Sequence, residues 1–173
     1  MKDQGDSGAQ FDAESVKWIR RAAEQRHRRA QYNLGLMYHK GEGVPQDGAE
    51  AVKWYRRAAE QGHRSARYNL GQMHLFGDGV PQDHAEAVRW LRLAAEQGHP
   101  GAQYNLGISY FNGEGVPQDY VSAHKWLNLA ALRYQSGADR DRAAAARDSV
   151  ADRMTAAEVA EAQGMTREWT AKP

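Results

Sequence analysis

The sequence predicts an all-α protein built as a stack of helix–loop–helix repeats, and three observations predict it. The segment Ala66-Arg67-Tyr68-Asn69-Leu70-Gly71 recurs 36 residues earlier as Ala30-Gln31-Tyr32-Asn33-Leu34-Gly35 and 36 residues later as Ala102-Gln103-Tyr104-Asn105-Leu106-Gly107. Self-similarity at such a period marks architectures whose units bury their apolar faces only against one another. Within a unit, Ala66, Leu70 and Met73 or His74 keep the spacing of one buried helical stripe. A glycine loop of fixed form, Gly41-Glu42-Gly43-Val44-Pro45-Gln46-Asp47 with its copies at 77–83 and 113–119, then divides each unit in two.

The elements follow in order. Residues 4–12 match 61–69 in register, after which the text passes straight to Ala13-Glu14-Ser15-Val16-Lys17-Trp18, omitting the Leu-Gly half and the glycine loop. One helix over residues 12–25 is expected there, so residues 1–27 form a truncated repeat or N-terminal cap whose first residues fray. Full repeats occupy 28–63, 64–99 and 100–135. Gly71 stands inside the first helix of its repeat at a cost of about 1 kcal/mol relative to alanine. Its recurrence at Gly35 and Gly107 predicts close approach of the partner helix. In the second segment, Ala51, Tyr55 and Ala58, flanked by Val52 and Ala59, form a broad apolar face.

Punctuation agrees with this reading. Gly62 and Gly98 stand where helix C-termini take positive φ, and Pro100 suits a first helical position. Asp47, Asp83 and Asp119 are candidate N-caps, and Val44 can tuck under its loop. Beyond residue 135, Ala143, Ala146, Val150 and Met154 trace one face of a charged helix. Thr155 and Glu158 form a capping box that opens a last helix from Ala156 to about residue 168. Residues 136–173 are therefore expected to cap the C-terminal end with a polar outer face.

Composition bounds the function. Over 173 residues, 41% are hydrophobic and 26% charged, as in an ordinary folded chain. A net charge of +1 gives no whole-molecule field toward nucleic acid or acidic membranes. With no cysteine, disulfides, thiolate catalysis and Cys-based zinc sites are excluded. The first ten residues lack the apolar core of a secretory signal, and no run approaches the roughly 20 apolar residues that span a bilayer. Taken as written, the chain is expected in the cytoplasm without membrane insertion, although a removed leader would leave no trace in it.

The recurring Leu-Gly-x-x-Tyr, Gly-x-Gly-Val-x-x-Asp, Ala-x-x-Trp and Ala-Ala-x-x-Gly closely resemble Sel1-like repeats (SLR), relatives of tetratricopeptide repeats, over about residues 13–131. The tail from Met154 through Gln163 and Trp169 also resembles the ending of bacterial members. The resemblance implies a right-handed α/α solenoid that holds other proteins as an adaptor or scaffold. Departures are the deletion before Ala13 and His74 in place of Tyr38 and Tyr110. In the tetratricopeptide relatives the Leu-Gly helices line a concave groove, and the residue before the leucine points into it. Carried over by position, those residues are Asn33, Asn69 and Asn105, preceded by Tyr32, Tyr68 and Tyr104. On the same face come Leu36, Gln72 and Ile108, then His39, Leu75 and Phe111, with Arg29 and Ser65 a turn earlier. Such a ladder of amides would hold the backbone of an extended peptide.

Other constellations carry less. Trp18, Trp54, Trp90 and Trp126 are expected between helices rather than stacked on a ligand. His27, His63 and His99 recur at the turns, one repeat apart, too far from one another to share a zinc ion. The glycine loops offer too few oxygens for calcium, so neither metal nor cofactor is expected. Lys17, Arg20, Arg21, Arg26, Arg28 and Arg29 against the single Glu24 form a basic cluster suited to an acidic protein segment. No nucleic-acid module accompanies it. Ser122-Ala123-His124-Lys125 fits the Ser-x-x-Lys of penicillin-recognising enzymes, and some secreted relatives of the family are associated with β-lactam binding. No Ser-Asp-Asn or Lys-Thr-Gly motif accompanies it, and those relatives are cysteine-rich. The expected function is a non-catalytic module, monomeric when unbound, that presents a groove to a protein or peptide. A hydrolase or β-lactam-binding enzyme using Ser122 and Lys125 is the alternative, and a structural subunit of a larger assembly a third.

Overall fold

The computed structural model describes residues 13–135 and 137–170. These form nine helices: α1 (Ala13–Glu24), α2 (Arg28–Lys40), α3 (Gly48–Glu60), α4 (Arg64–Phe76), α5 (His84–Glu96), α6 (Pro100–Asn112), α7 (Tyr120–Arg133), α8 (Gly137–Ala151) and α9 (Ala156–Thr170). No strand occurs among the described residues. From α1 to α8 each helix packs on the next in an α/α solenoid, while α9 lies against α7. The sequence matching an earlier repeat start, residues 4–12, lies outside the described residues.

Local chemistry fixes each boundary. Asp47, Asp83 and Asp119 accept through Oδ1 from the backbone N–H of Glu50, Glu86 and Ser122 at 2.9, 3.0 and 3.1 Å, closing the first turns of α3, α5 and α7. Helix α4 ends where Gly77 turns to φ 72° and donates back to the Met73 carbonyl, and Gly41 and Gly113 repeat the device. The Thr155 hydroxyl accepts from the Glu158 N–H at 3.3 Å while the Glu158 carboxylate accepts from the Thr155 N–H at 2.7 Å, completing the capping box of α9.

The core is a series of buried clusters set along the stack. A Cβ on Gly71 would come within 2.8 Å of Leu91 Cγ, and on Gly35 within 2.7 Å of the Tyr55 ring, so the two helices of a repeat meet where only hydrogen fits. The tryptophans depart from expectation at one position. Trp54, Trp90 and Trp126 are buried between helices, whereas Trp18 is 63% exposed. Each buried indole shares a cluster with the preceding helix of its own kind: Trp54 with Val16 and Ala23 of α1, Trp90 with Val52 and Tyr55 of α3, Trp126 with Val88 and Leu91 of α5. Among the described residues no such helix precedes α1, so Trp18 has no equivalent cover. At the other end of the described residues Trp169 of α9 sets its ring edge-on to Trp126, 6.5 Å away.

Candidate functional site

The outward faces of α2, α4 and α6 carry the candidate residues, because Leu34, Leu70 and Leu106 one position on are fully buried and fix the rotation of each helix. The three asparagines end up in different surroundings. Asn33 is exposed; Asn69 is half-buried beside the Tyr55 hydroxyl, though no hydrogen bond of acceptable geometry closes between them. Asn105 donates through Nδ2 to Gln72 Oε1 at 2.8 Å, and Gln72 Nε2 donates to the Tyr68 hydroxyl at 2.8 Å. That chain ties α6 to α4.

The tyrosines pack across repeats. Tyr32 stacks on His63 with ring centroids 4.5 Å apart and planes 17° apart, and Tyr68 stacks on His99 at 4.2 Å and 21°. Both histidines are N-caps: His63 Nδ1 accepts from the Ala66 N–H and His99 Nδ1 from the Ala102 N–H, each at 3.2 Å. Acceptance at Nδ1 assigns the ring proton to Nε2 and requires the neutral imidazole. Burial lowers the pKa of His63, helped by Arg28, Arg29 and Arg64, and pushes His99 down to about 4, helped by Arg64. Burial likewise raises the Tyr68 phenol above its ordinary range. Tyr68 is thus half-buried, its ring on His99 and its hydroxyl bonded to Gln72, rather than a wholly free side chain.

Farther along, Leu36 packs at the margin of the Tyr55 cluster, and His39 sets its ring edge-on to Tyr55 and pairs through Nε2 with Asp78 at 3.1 Å. Leu75 is half-buried and Arg29 exposed. Phe76, beside Leu75 at the end of α4, is 70% exposed, an apolar group that its position beyond the periodic stripe hid in the sequence. The third repeat differs from the other two. Tyr104, Ile108 and Phe111 pack with Val150, Ala146 and Met154, so α8 and the turn after it cover part of that face. The Arg153 guanidinium lies 5.6 Å from the Phe111 ring centre.

Beside this face the basic cluster opens into a shallow depression of about 370 Å³ lined by Arg28, Arg29, Gly62, His63, Arg64 and Ser65. Arg28 and Arg64 reach the carbonyls of Gln61 and Gln97 at 3.4 and 3.5 Å. Elsewhere the cluster disperses: Arg20 donates to the Tyr38 hydroxyl at 3.1 Å.

The serine and lysine of Ser-x-x-Lys do not meet as a nucleophile and base. Ser122 Oγ donates to Asp119 Oδ2 at 2.6 Å within the cap of α7, and Lys125 Nζ lies 4.5 Å from the Trp126 ring centre. Among the described residues no three His, Asp or Glu side chains converge on a metal position, and no helix is long and apolar enough to cross a membrane.

Two recurrent ties escaped sequence reasoning because they cross between elements. Gln31, Arg67 and Gln103 donate to the carbonyls of Ala23, Ala59 and Ala95 on the preceding helix. Gln46, Gln82 and Gln118 return from the loop to cap the carbonyls of His39, Leu75 and Phe111. The signal was recurrence of Gln46, Gln82 and Gln118, and of Gln31 and Gln103 with Arg67 between them, which alone does not distinguish a cap from a contact.

The model of the Sel1 repeat matches residues 12–27, 28–63, 64–99 and 100–135. Among solved structures, c5321, described as a protective antigen present in uropathogenic Escherichia coli strains and displaying an SLR fold, is 51% identical over 70% of this chain, with a TM-score of 0.68. The chain spans only 26% of that protein. A Sel1 repeat protein from Oxalobacter formigenes is 35% identical, covering 75% of this chain and 96% of its own, with a TM-score of 0.66. No curated protein matches the chain.

Proposed function

The chain belongs to the Sel1 repeat family, whose repeats typically serve as protein-interaction modules, and from that premise we propose that it is a non-catalytic adaptor holding an extended protein segment on the outward faces of α2 and α4. The observation that carries this reading is the differing cover along the candidate face. Asn33, Leu36 and Arg29 of α2 and Asn69, Gln72 and Leu75 of α4 remain wholly or partly open, with Phe76 beside them. The corresponding Tyr104, Ile108 and Phe111 lie partly beneath α8. A bound segment would therefore run over the first two repeats and end against α8. Asn33 and Asn69 would bond its backbone, and Leu36, Leu75 and Phe76 would take its apolar side chains.

The stacked Tyr32–His63 and Tyr68–His99 pairs hold the floor of this surface before anything binds, which lowers the ordering cost of association. Arg28, Arg29 and Arg64 at one edge favour a segment carrying Asp or Glu there and would speed its encounter. In-cell crosslinking with mass spectrometry tests the proposal: crosslinks should map to residues 29–40 and 65–76. A Leu36→Asp, Asn69→Ala variant should lose the partner, whereas Glu96→Gln on the exposed side of α5 should retain it. Retention by both variants would overturn the groove reading. The Ser122 and Asp119 arrangement predicts no covalent adduct with penicillin; stoichiometric acylation of Ser122 would restore the enzyme reading.

A further inference from the structure

We propose that the outer face of α1 is a self-association surface that joins two copies of this chain in an antiparallel pair across a twofold axis. The helix buries Val16 and Ala23 against the stack, and Glu14, Lys17, Trp18 and Arg21 lie on the opposite side, where they line one shallow depression of about 230 Å³. Trp18 is 63% exposed at its centre. Among the described residues, Glu14, Lys17 and Arg21 enter no salt bridge or side-chain hydrogen bond.

Three interfaces inside the molecule show what this position does when covered. Trp54, Trp90 and Trp126, the repeat equivalents of Trp18, are each buried against a neighbouring helix. The Arg56 guanidinium reaches Glu86 across the interface of α3 with α5 at 3.7 Å. A buried indole thus joins successive helices in all three interfaces, and in the one between α3 and α5 an ion pair lies beside it. Head-to-tail addition of a second copy is blocked, because α8 and α9 already cover α7. Among the described residues, the uncovered member of the series is α1 itself.

The stripe is self-complementary. Glu14 and Arg21 stand seven residues apart on one face, and the midpoint between them falls between Lys17 and Trp18. In an antiparallel pair centred there, a twofold rotation sets Trp18 against Trp18 of the second copy and Glu14 of each copy against Arg21 of the other. Both Lys17 side chains lie on the flank opposite the indoles, where they reach solvent. A pair centred on Trp18 would instead leave Glu14 level with Ala22 and Arg21 level with Ser15 of the other copy, and one centred on Lys17 would set the two ammonium groups level with each other. One 12-residue helix from each copy buries less than the roughly 800 Å² per partner of a standard interface, so association should lie at about 10 μM to 1 mM.

Sedimentation equilibrium of the full chain up to about 1 mM, chosen to span that affinity range, tests the pair. The weight-average mass should rise toward that of a dimer. Trp18→Ala should weaken association at least about 10-fold, since a central buried indole dominates a small interface. Glu14→Arg or Arg21→Glu alone should weaken it about 3- to 10-fold, and the double reversal should restore it, as reciprocal charge pairs require. Because the chain has no cysteine, Lys17→Cys provides a single thiol beside the axis that a short bismaleimide should bridge between copies. A monomer at every concentration, dimerisation indifferent to Trp18→Ala, or a double reversal as weak as the single ones would each overturn the proposal. Unchanged far-UV circular dichroism excludes misfolding as the cause.

Discussion

The neutral histidine caps make a prediction that acid can test. His99 holds its ring on Tyr68 and accepts from the Ala102 N–H through Nδ1, which protonation would forbid. Its pKa falls from the ordinary 6.5 to about 4, chiefly through burial and then through Arg64. The unfolded chain therefore binds more protons than the folded one between those values, and stability must rise with pH across that window. The contribution is fully present above the unfolded pKa of 6.5 and is lost as pH falls toward about 4. At about 1.4 kcal/mol per pH unit the ceiling is about 3 kcal/mol, which solvent screening of a part-open ring reduces to about 1–2 kcal/mol. His63 shifts in the same direction and adds to it.

The assay is urea unfolding between pH 7.5 and 4.5 for the wild type and a His63→Asn, His99→Asn variant. Asparagine caps a helix without titrating in this range, so subtraction removes the background of carboxylates common to both proteins. The wild type should lose about 1–2 kcal/mol more than the variant over that interval. NMR titration of the imidazole resonances gives the shift directly. Parallel pH profiles, or a His99 that titrates at 6.5 or above, would refute the neutral-cap argument.

Other expectations are more local. Gly71→Ala should cost about 1–2 kcal/mol in urea or thermal melts despite the better helix former, because its Cβ would press on Leu91 Cγ at 2.8 Å. Asp83→Ala should cost about 1 kcal/mol by removing the acceptor of the Glu86 N–H. Trp90→Ala should cost about 3–5 kcal/mol, whereas Trp18→Ala, removing a mostly exposed ring, should leave monomer stability within about 0.5 kcal/mol. Equal losses at the two tryptophans would contradict the contrast in packing.

Much of the fold was legible because its signals are local. The spacing of Leu34, Leu70 and Leu106, the aspartate caps and the glycines at close approach each act within a few residues or within one repeat. The candidate site was less legible because its state depends on neighbours. Asn33, Asn69 and Asn105 read alike in sequence, yet one is exposed, one lies beside Tyr55, and one bonds Gln72. Tyr104, Ile108 and Phe111 repeat the pattern of their equivalents until α8 packs over them. Trp18 sits in the same local motif as Trp54; only the absence of a preceding helix among the described residues separates their burial.

The two proposed surfaces divide the labour of the repeat. A repeat buries its apolar residues against the units before and after it, so these make the stack and cannot also discriminate partners. On the proposed reading, recognition uses side chains that the stack leaves open, and on α2 and α4 Arg29 and Asn33 are exposed while Leu36, Asn69 and Leu75 are partly so, on helices held by the buried Leu34 and Leu70. On the self-association proposal, the stacking chemistry becomes available where no described helix precedes, as at the exposed Trp18. Substitutions on the faces of α2 and α4 should therefore change partner capture without changing self-association, and substitutions on α1 the reverse, because no described salt bridge or side-chain hydrogen bond of Glu14, Trp18 or Arg21 links the two surfaces. Coupling of the two measurements in single-site variants would show that one surface had been mistaken for the other.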